Sequence, residues 1–360
     1  MFSAKRIESF EYIRVEEMHT FVSRLFGLSG KPVVLVKQLT HLTLTIMIRM
    51  VLGNKYFGVS GDDRLGSDSK MSVQELQEMI DEFYGYVKRM KALKKKLDQF
   101  HDHVLDEHKR RKEELDKDFV AQGFVDLLLQ LADDPDPDVK LTSDAVRGFT
   151  QDLISGGTDS SARTVEWAIS ELIKEPQLIR QATEELDKVV GKERWVEETD
   201  IPRLPFLEAI MKETMRIHPV GVLLAPRLAM QDCNVAGYDI RKGTRVFVNI
   251  WSMGRDPYLW ERPEEFHPER FVGSNINVKG TDFELLPFGA GRRMCPGYSL
   301  GLKMIQLSLA NLLHGFNWKL PDSTKAEDLS MEEAFGMITP RKFPLVAVME
   351  PRLPHHLYKL

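Results

Sequence analysis

Two cysteines, Cys233 and Cys295, are all that 360 residues contain, which excludes a disulfide framework and confines any cysteine role to thiol chemistry. An excess of positive charge is missing as well. Lys and Arg number 49 against 54 Asp and Glu, a formal charge of −5, so no global basic field is available to hold a polyphosphate and no nucleic-acid partner is expected. Long apolar runs are also absent. The most apolar early stretch, Leu42 to Ile48, contains Thr43 and Thr45 and stops at Arg49, short of the ~20 residues of a membrane span. Lys5, Arg6, Glu8, Glu11 and Arg14 interrupt anything like the apolar core of a signal peptide. As given, the chain reads as soluble or at most peripheral. No internal repeat or low-complexity tract is present.

What is there is ordinary globular material. Hydrophobic residues make up 42% and charged residues 29%, and the length is two to three times the usual ~150 residues per domain, so a large core is within reach. The first half has helical periodicity, through Ile7, Phe10, Ile13 and Val15, then Val34, Leu39, Leu42, Ile46 and Met50. A second helical block runs from about Val73 to Glu114. Its basic runs, Lys94 to Lys96 and Lys109 to Lys112, read as a solvated helix face. The stretch Ala132 to Lys140, ADDPDPDVK, reads as a loop. Ser143 then stands as a plausible N-cap of a helix that meets no proline until Pro176, about 32 residues and ~48 Å long. Helices around Gln177 to Val190 and Phe206 to Ile217 follow. Val235 to Ile250 reads as a hairpin turning at Lys242 and Gly243, and a last helix carries Leu302, Ile305, Leu309, Leu312 and Phe316. A strand, Leu345 to Met349, closes the chain.

Chemistry concentrates in Pro287 to Gly301, PFGAGRRMCPGYSLG, a loop that runs straight into the last helix. Cys295 is expected at the cap and Pro296 at the first helical position, where its missing amide proton costs nothing. The free amides and positive dipole end of that helix start favour a thiolate. Gly289, Gly291 and Gly297 let backbone approach a flat ligand, Arg293 can meet an anionic group on it, and a thiolate so placed is a good axial ligand for iron. A phosphate-loop reading fails, because no Lys and Ser/Thr follow at the required offsets. For Cys233 the expectation is a buried hydrophobic cysteine.

Phe288, Gly291, Arg293, Cys295 and Gly297 resemble, position for position, the ten-residue haem-binding signature of the cytochrome P450 family. The resemblance extends over nearly the whole chain, and the phrases FVNIWSMGRDPYLWERPEEFHPERF and FGMITPRKFPLVAVMEPRLP are those of the plant microsomal A-type group, most like flavonoid 3'-monooxygenase and close relatives. It implies a mainly α fold with small β-sheets, and a haem b, iron protoporphyrin IX, held by the Cys295 thiolate. It also implies an NADPH-cytochrome P450 reductase as electron donor, with NADPH not bound directly, dioxygen as co-substrate, and the cytoplasmic face of the endoplasmic reticulum membrane.

Other segments gain meaning from the same resemblance. Glu213 and Arg216 stand three apart on one helical face, ordinarily a surface pair worth under about 1 kcal/mol. With Arg270 of PERF they resemble the family's buried Glu, Arg, Arg network, a structural triad behind the haem. Arg227, in LLAPR, resembles its second propionate partner. Mid-helix glycines Gly156 and Gly157 each cost about 1 kcal/mol relative to alanine, so something else requires them. SGGTDSSA resembles the family's distal helix, whose glycines make room for dioxygen. Asp159 then matches the acid, and Ser160 the alcohol, of a proton relay in which most members have threonine; serine keeps the hydroxyl and loses a rotamer-restricting methyl.

Two departures accompany the resemblance. No membrane anchor, β-rich lobe or Trp- and Arg-bearing propionate helix is recognised, and Met79 to Met90 stands where relatives carry a longer stretch roofing the pocket. The expectation is one incomplete, internally shortened domain over 1–360, with a long distal helix at 143–175 and the haem-thiolate loop at 287–301. The implied function is monooxygenation of a small hydrophobic plant metabolite, whether flavonoid, other phenolic or terpenoid. The alternatives are a haem-thiolate isomerase or dehydratase and a non-catalytic haem-binding remnant. Apolar faces left without the missing lobe, on parts of the first helices and the final strand, are expected to be exposed, and the chain to bind haem poorly, to turn over no substrate and not to anchor itself in a membrane.

Overall fold

The computed structural model describes residues 2–53, 87–115, 119–133, 141–322 and 324–359. Over these the elements run α1 (Ala4–Ser9), α2 (Glu11–Gly27), β1 (Pro32–Val34), α3 (Leu35–Leu52), α4 (Val87–Leu115), α5 (Phe124–Ala132), α6 (Ser143–Lys174), α7 (Pro176–Val189) and α8 (Pro205–Ile217). Then come β2 (Arg227–Leu228), β3 (Cys233–Val235), β4 (Tyr238–Ile240), β5 (Arg245–Val246), α9 (Ile250–Met253), α10 (Tyr298–Gly315), β6 (Phe316–Lys319) and β7 (Val346–Pro351). The fold is mainly α with small antiparallel sheets, as expected. Positions 73–86 of the second helical block, which include 79–86 of the shortened stretch, and 134–140 of the acidic loop lie outside the described residues.

Two compact units divide the described chain, with boundaries inside α2, α3 and α6. In the first, residues 1–18 and 40–159, Phe124 of α5 packs between Phe2 and Phe10 at 5.5 and 5.4 Å. α3 is long and apolar enough to cross a membrane by length and composition, with mean hydropathy 1.3, but 83% of it is buried within the protein. It continues past Ile48 because Arg49 is neutralised inside, 2.6 Å from Glu17 and 2.8 Å from Glu16. α4 and α5 are joined by Asp126, which is fully buried and accepts from His108 Nδ1 at 2.5 Å, from the Gln122 amide at 2.8 Å and from Arg111.

In the second unit, residues 19–39 and 160–360, a three-stranded sheet in the order β1-β7-β6 pairs Val33 with Ala347 and Trp318 with Met349. Val34 belongs to β1, so the helix expected through it starts at Leu35. Phe316 leads β6 instead of ending α10, whose last residue, Gly315, must be glycine because a Cβ there would come within 2.5 Å of the Trp195 ring. The expected single hairpin is two ladders. β3 pairs with β4 across a tight turn at Ala236 and Gly237, both with positive φ, and β5 pairs back with β2. Cys233 is exposed on β3, not buried, because this ladder stands in solvent on its apolar side. Exposed apolar residues lie there, Met230 at 79% and Tyr238 at 75%, as they also do at Tyr258 and Phe335. Of the first helices and the final strand, Ile7 and Met349 are buried at 0%, whereas Tyr12 and Val346 are exposed.

α6 covers the 32 residues free of proline, and its cap is Thr142, whose Oγ1 accepts the Ala145 amide at 3.2 Å, one residue ahead of the expected Ser143.

Candidate active site

The loop ahead of α10 is folded by its own backbone. Gly289 N–H donates to Leu286 O at 3.0 Å, Met294 N–H to Gly291 O at 3.0 Å and Cys295 N–H to Phe288 O at 2.9 Å. Gly289 and Gly291 have φ of +71° and +68°, which side chains rarely adopt, so glycine is required at both. Phe288 packs edge-on to Tyr298 at 6.4 Å. α10 begins at Tyr298 with Gly297 as its cap, so Cys295 sits two residues ahead of the cap and Pro296 lies outside the helix. This shifts the electrostatics. Burial of Sγ pushes the Cys295 thiol up from its ordinary pKa and the Gly297 amide only partly offsets that, so the loop by itself favours the thiol over the thiolate. The residue nonetheless keeps an exposed face. Gly297 borders that sulfur, since a Cβ on it would lie 4.0 Å from Sγ.

Arg227 is brought to this loop by β2. Its Nη1 donates to Ala225 O at 2.9 Å and its Nη2 to Arg293 O at 3.4 Å, and Nη2 lies 3.7 Å from where a Gly289 Cβ would stand. Arg293 itself is exposed. A soft sulfur donor, a side-chain-free glycine surface and two guanidinium groups form a donor set that fits a flat iron macrocycle with carboxylate arms.

Glu213, Arg216 and Arg270 meet. Arg216 Nε and Nη2 clasp the Glu213 carboxylate at 2.7 and 2.8 Å, and Arg270 Nε reaches Oε1 at 3.1 Å. The His267 amide donates to the same oxygen at 2.7 Å. Glu213 is 0% and Arg216 1% exposed. Arg216 also donates to the carbonyls of Pro263 at 2.7 Å, Glu265 at 3.0 Å and Gly254. Gly254 must be glycine, because a Cβ there would overlap the Arg216 carbonyl oxygen.

On α6 the two glycines differ. A Cβ on Gly157 would strike Met47 Sδ at 2.5 Å, so this glycine admits the α3 thioether, whereas a Cβ on Gly156 would meet nothing within 4 Å. Asp159 and Ser160 are half-buried one turn on, and Thr164 Oγ1 donates to the Ser160 carbonyl at 3.0 Å. The sequence reading missed Ser161. Its Oγ and the Phe288 ring lie 4.0 and 3.6 Å from a Cβ built on Gly301, so α6 packs on the start of α10 through this serine. The doubled Ser160 Ser161 pair was the available signal. Also missed were Trp167 and His218, stacked at 3.9 Å with planes 5° apart.

A family model described as Cytochrome P450 matches residues 1–346. Trimethyltridecatetraene synthase from Zea mays is 44% identical over 99% of this chain and 71% of its own length. The aligned 391 residues exceed this chain's 360, so that relative carries internal residues this chain lacks. Flavonoid 3'-monooxygenase from Petunia hybrida is 39% identical over 99% of this chain and 73% of its own. A solved zebra fish cytochrome P450 with abiraterone superposes with a TM-score of 0.81 at 27% identity, covering 96% of this chain and 80% of that one.

Proposed function

The chain belongs to the cytochrome P450 family, and from that premise we propose that it is a haem-thiolate monooxygenase acting on a small hydrophobic plant metabolite. One atom of O2 enters a substrate C–H bond and the other leaves as water, with two electrons from NADPH passed on by a flavoprotein reductase. The observation that carries this reading is the loop itself, with Cys295 beside Gly297 and Arg227 against Gly289 and Arg293. Cys295 would hold an iron protoporphyrin there, which would supply oxygen activation and the charge that offsets the loop's preference for the thiol.

This chain's residues do the rest. Arg227 and Arg293 would hold the porphyrin's carboxylate arms, and Gly289, Gly291 and Gly297 would keep side chains clear of it. Asp159 and Ser160 would hold and deliver protons through their carboxylate and hydroxyl. Glu213, Arg216 and Arg270 fix the segments that carry them. As to substrate, two relatives at 44% and 42% identity are named for the methylated polyenes trimethyltridecatetraene and dimethylnonatriene, against 39% and 37% for the two flavonoid 3'-monooxygenases. These figures favour a terpenoid over a flavonoid.

The test is the haem content and reduced-CO difference spectrum of the chain, beside Cys295→Ala, followed by reductase-supported turnover of terpenoid and flavonoid panels. A thiolate-type Soret band that disappears in the variant, with oxygenated product from the terpenoid panel, is expected. A band unchanged by Cys295→Ala would overturn the ligand assignment, and isomerised or dehydrated product without O2 uptake would overturn the monooxygenase.

A further inference from the structure

Ser160 does not stand alone on its face of α6. With 3.6 residues per turn, Trp167 and Glu171 lie seven and eleven positions on, each within about 20° of the Ser160 direction. Both reach the same imidazole. The Trp167 indole is fully buried and stacks on His218 at 3.9 Å, while Glu171 Oε1 accepts from His218 Nε2 at 2.6 Å. His218 is the C-cap residue of α8, the helix that carries Glu213 and Arg216. The outer edge of the indole is pinned as well, with Nε1 donating to Thr339 O at 3.1 Å. One attachment would fix only the distance between two helices. Two attachments one turn apart, on a single rigid ring, also fix rotation of α6 about its own axis.

We infer that Trp167, with Glu171, forms a clamp on His218 that sets the rotation of the distal helix and so aims the Ser160 hydroxyl. Trp167 is a positioning residue, acting on the reaction through Ser160, and the inference rests on the proton-relay reading of that serine. The magnitude is sufficient. A rotation of about 20° at a side-chain radius of about 5 Å carries the hydroxyl about 1.7 Å, and misplacement by about 1 Å can cost a factor near 100. Thr164 adds to this, since its hydroxyl holds the Ser160 carbonyl at 3.0 Å and couples local helix geometry to the same face.

The experiment compares Trp167→Leu, which removes the stack and the N–H, with Trp167→Phe, which keeps an aromatic face on His218. In the haem-free chain, amide hydrogen exchange across 159–166 should quicken about tenfold for Leu and stay within about twofold of the parent for Phe, with α10 unchanged. In the haem-loaded, reductase-supported assay, Trp167→Leu should divert NADPH to peroxide to the extent that Ser160→Ala does, and the double variant no further. Unchanged exchange in the Leu variant, or peroxide losses that add in the double variant, would overturn the clamp. Product per NADPH unaffected by Ser160→Ala would instead sink the relay reading, with the exchange result standing apart from it. If Trp167→Leu does not hold haem, His218→Gln, which can still donate to Glu171 but cannot stack, is held to the same two outcomes.

Discussion

Individual glycines show how much one missing Cβ decides. Gly301 lies inside α10, where glycine costs about 1 kcal/mol relative to alanine, and a Cβ there meets Phe288 and Ser161 only at 3.6 to 4.0 Å, ordinary contact distances. Gly301→Ala should therefore raise stability by about 0.5–1 kcal/mol, read as a higher denaturant midpoint with unchanged slope. Gly157→Ala should lower it, because Met47 must leave its rotamer to clear a 2.5 Å contact. Opposite signs from the same substitution in two helices would reveal packing, not helix propensity, as the deciding effect. The charged triad is the second case. Glu213→Ala strands Arg216 and Arg270, at an expected cost of about 3–5 kcal/mol, and should yield haem-free or insoluble chain. Full haem content and a normal midpoint in that variant would show that the buried triad is not needed for folding or haem retention.

At the scale of elements, what the sequence disclosed and what it hid have a common cause. α6 was legible from local information, because a proline-free stretch of 32 residues after a loop can continue as one helix, although its cap is Thr142 and not Ser143. Phe288, Cys295 and the glycines were legible because loop geometry demands fixed residue types at fixed offsets. Legibility failed where a distant partner decides. Position 315 must be glycine because of Trp195, β5 turns back to pair with β2, and Trp167 finds His218 at the end of a different helix.

The α4–α5 junction is of this hidden kind and carries a pH signature. Burial raises the Asp126 carboxyl, but hydrogen bonds from His108 and the Gln122 amide, with the His108 and Arg111 charges, outweigh it and hold the group below its ordinary value. A depressed folded pKa means that the unfolded chain binds more protons as pH falls. The stabilisation is complete above the ordinary carboxylate pKa and is lost as pH drops through the lower folded value. Asp126→Asn should remove this acid-sensitive component, and parent and variant stability curves that stay parallel from neutral pH down to about pH 3 would refute it.

For the whole molecule, the exposed apolar surface governs how the chain behaves once made. The fold buries its helices well, yet the β3–β4 ladder presents Val235 and Tyr238, directly opposite in register, at 59% and 75% exposure. Directly opposed residues share one face of a ladder, and Met230, at 79%, lies just before it. A short ladder with open edges and apolar side chains is a template for pairing with another chain. Replacing both Val235 and Tyr238 by threonine keeps β-propensity while removing most of the apolar area. The double variant should scatter less light at a given concentration and bind less hydrophobic dye, while its helical circular dichroism and its haem content match the parent, since neither residue touches the Cys295 loop or the triad. Equal aggregation in parent and variant would move the responsibility to other exposed apolar residues, such as Phe335 at 98% and Met337 at 78%. Lost haem would mean that this ladder supports Arg227 through β2 and β5, and is part of the site's scaffold as well as an exposed edge.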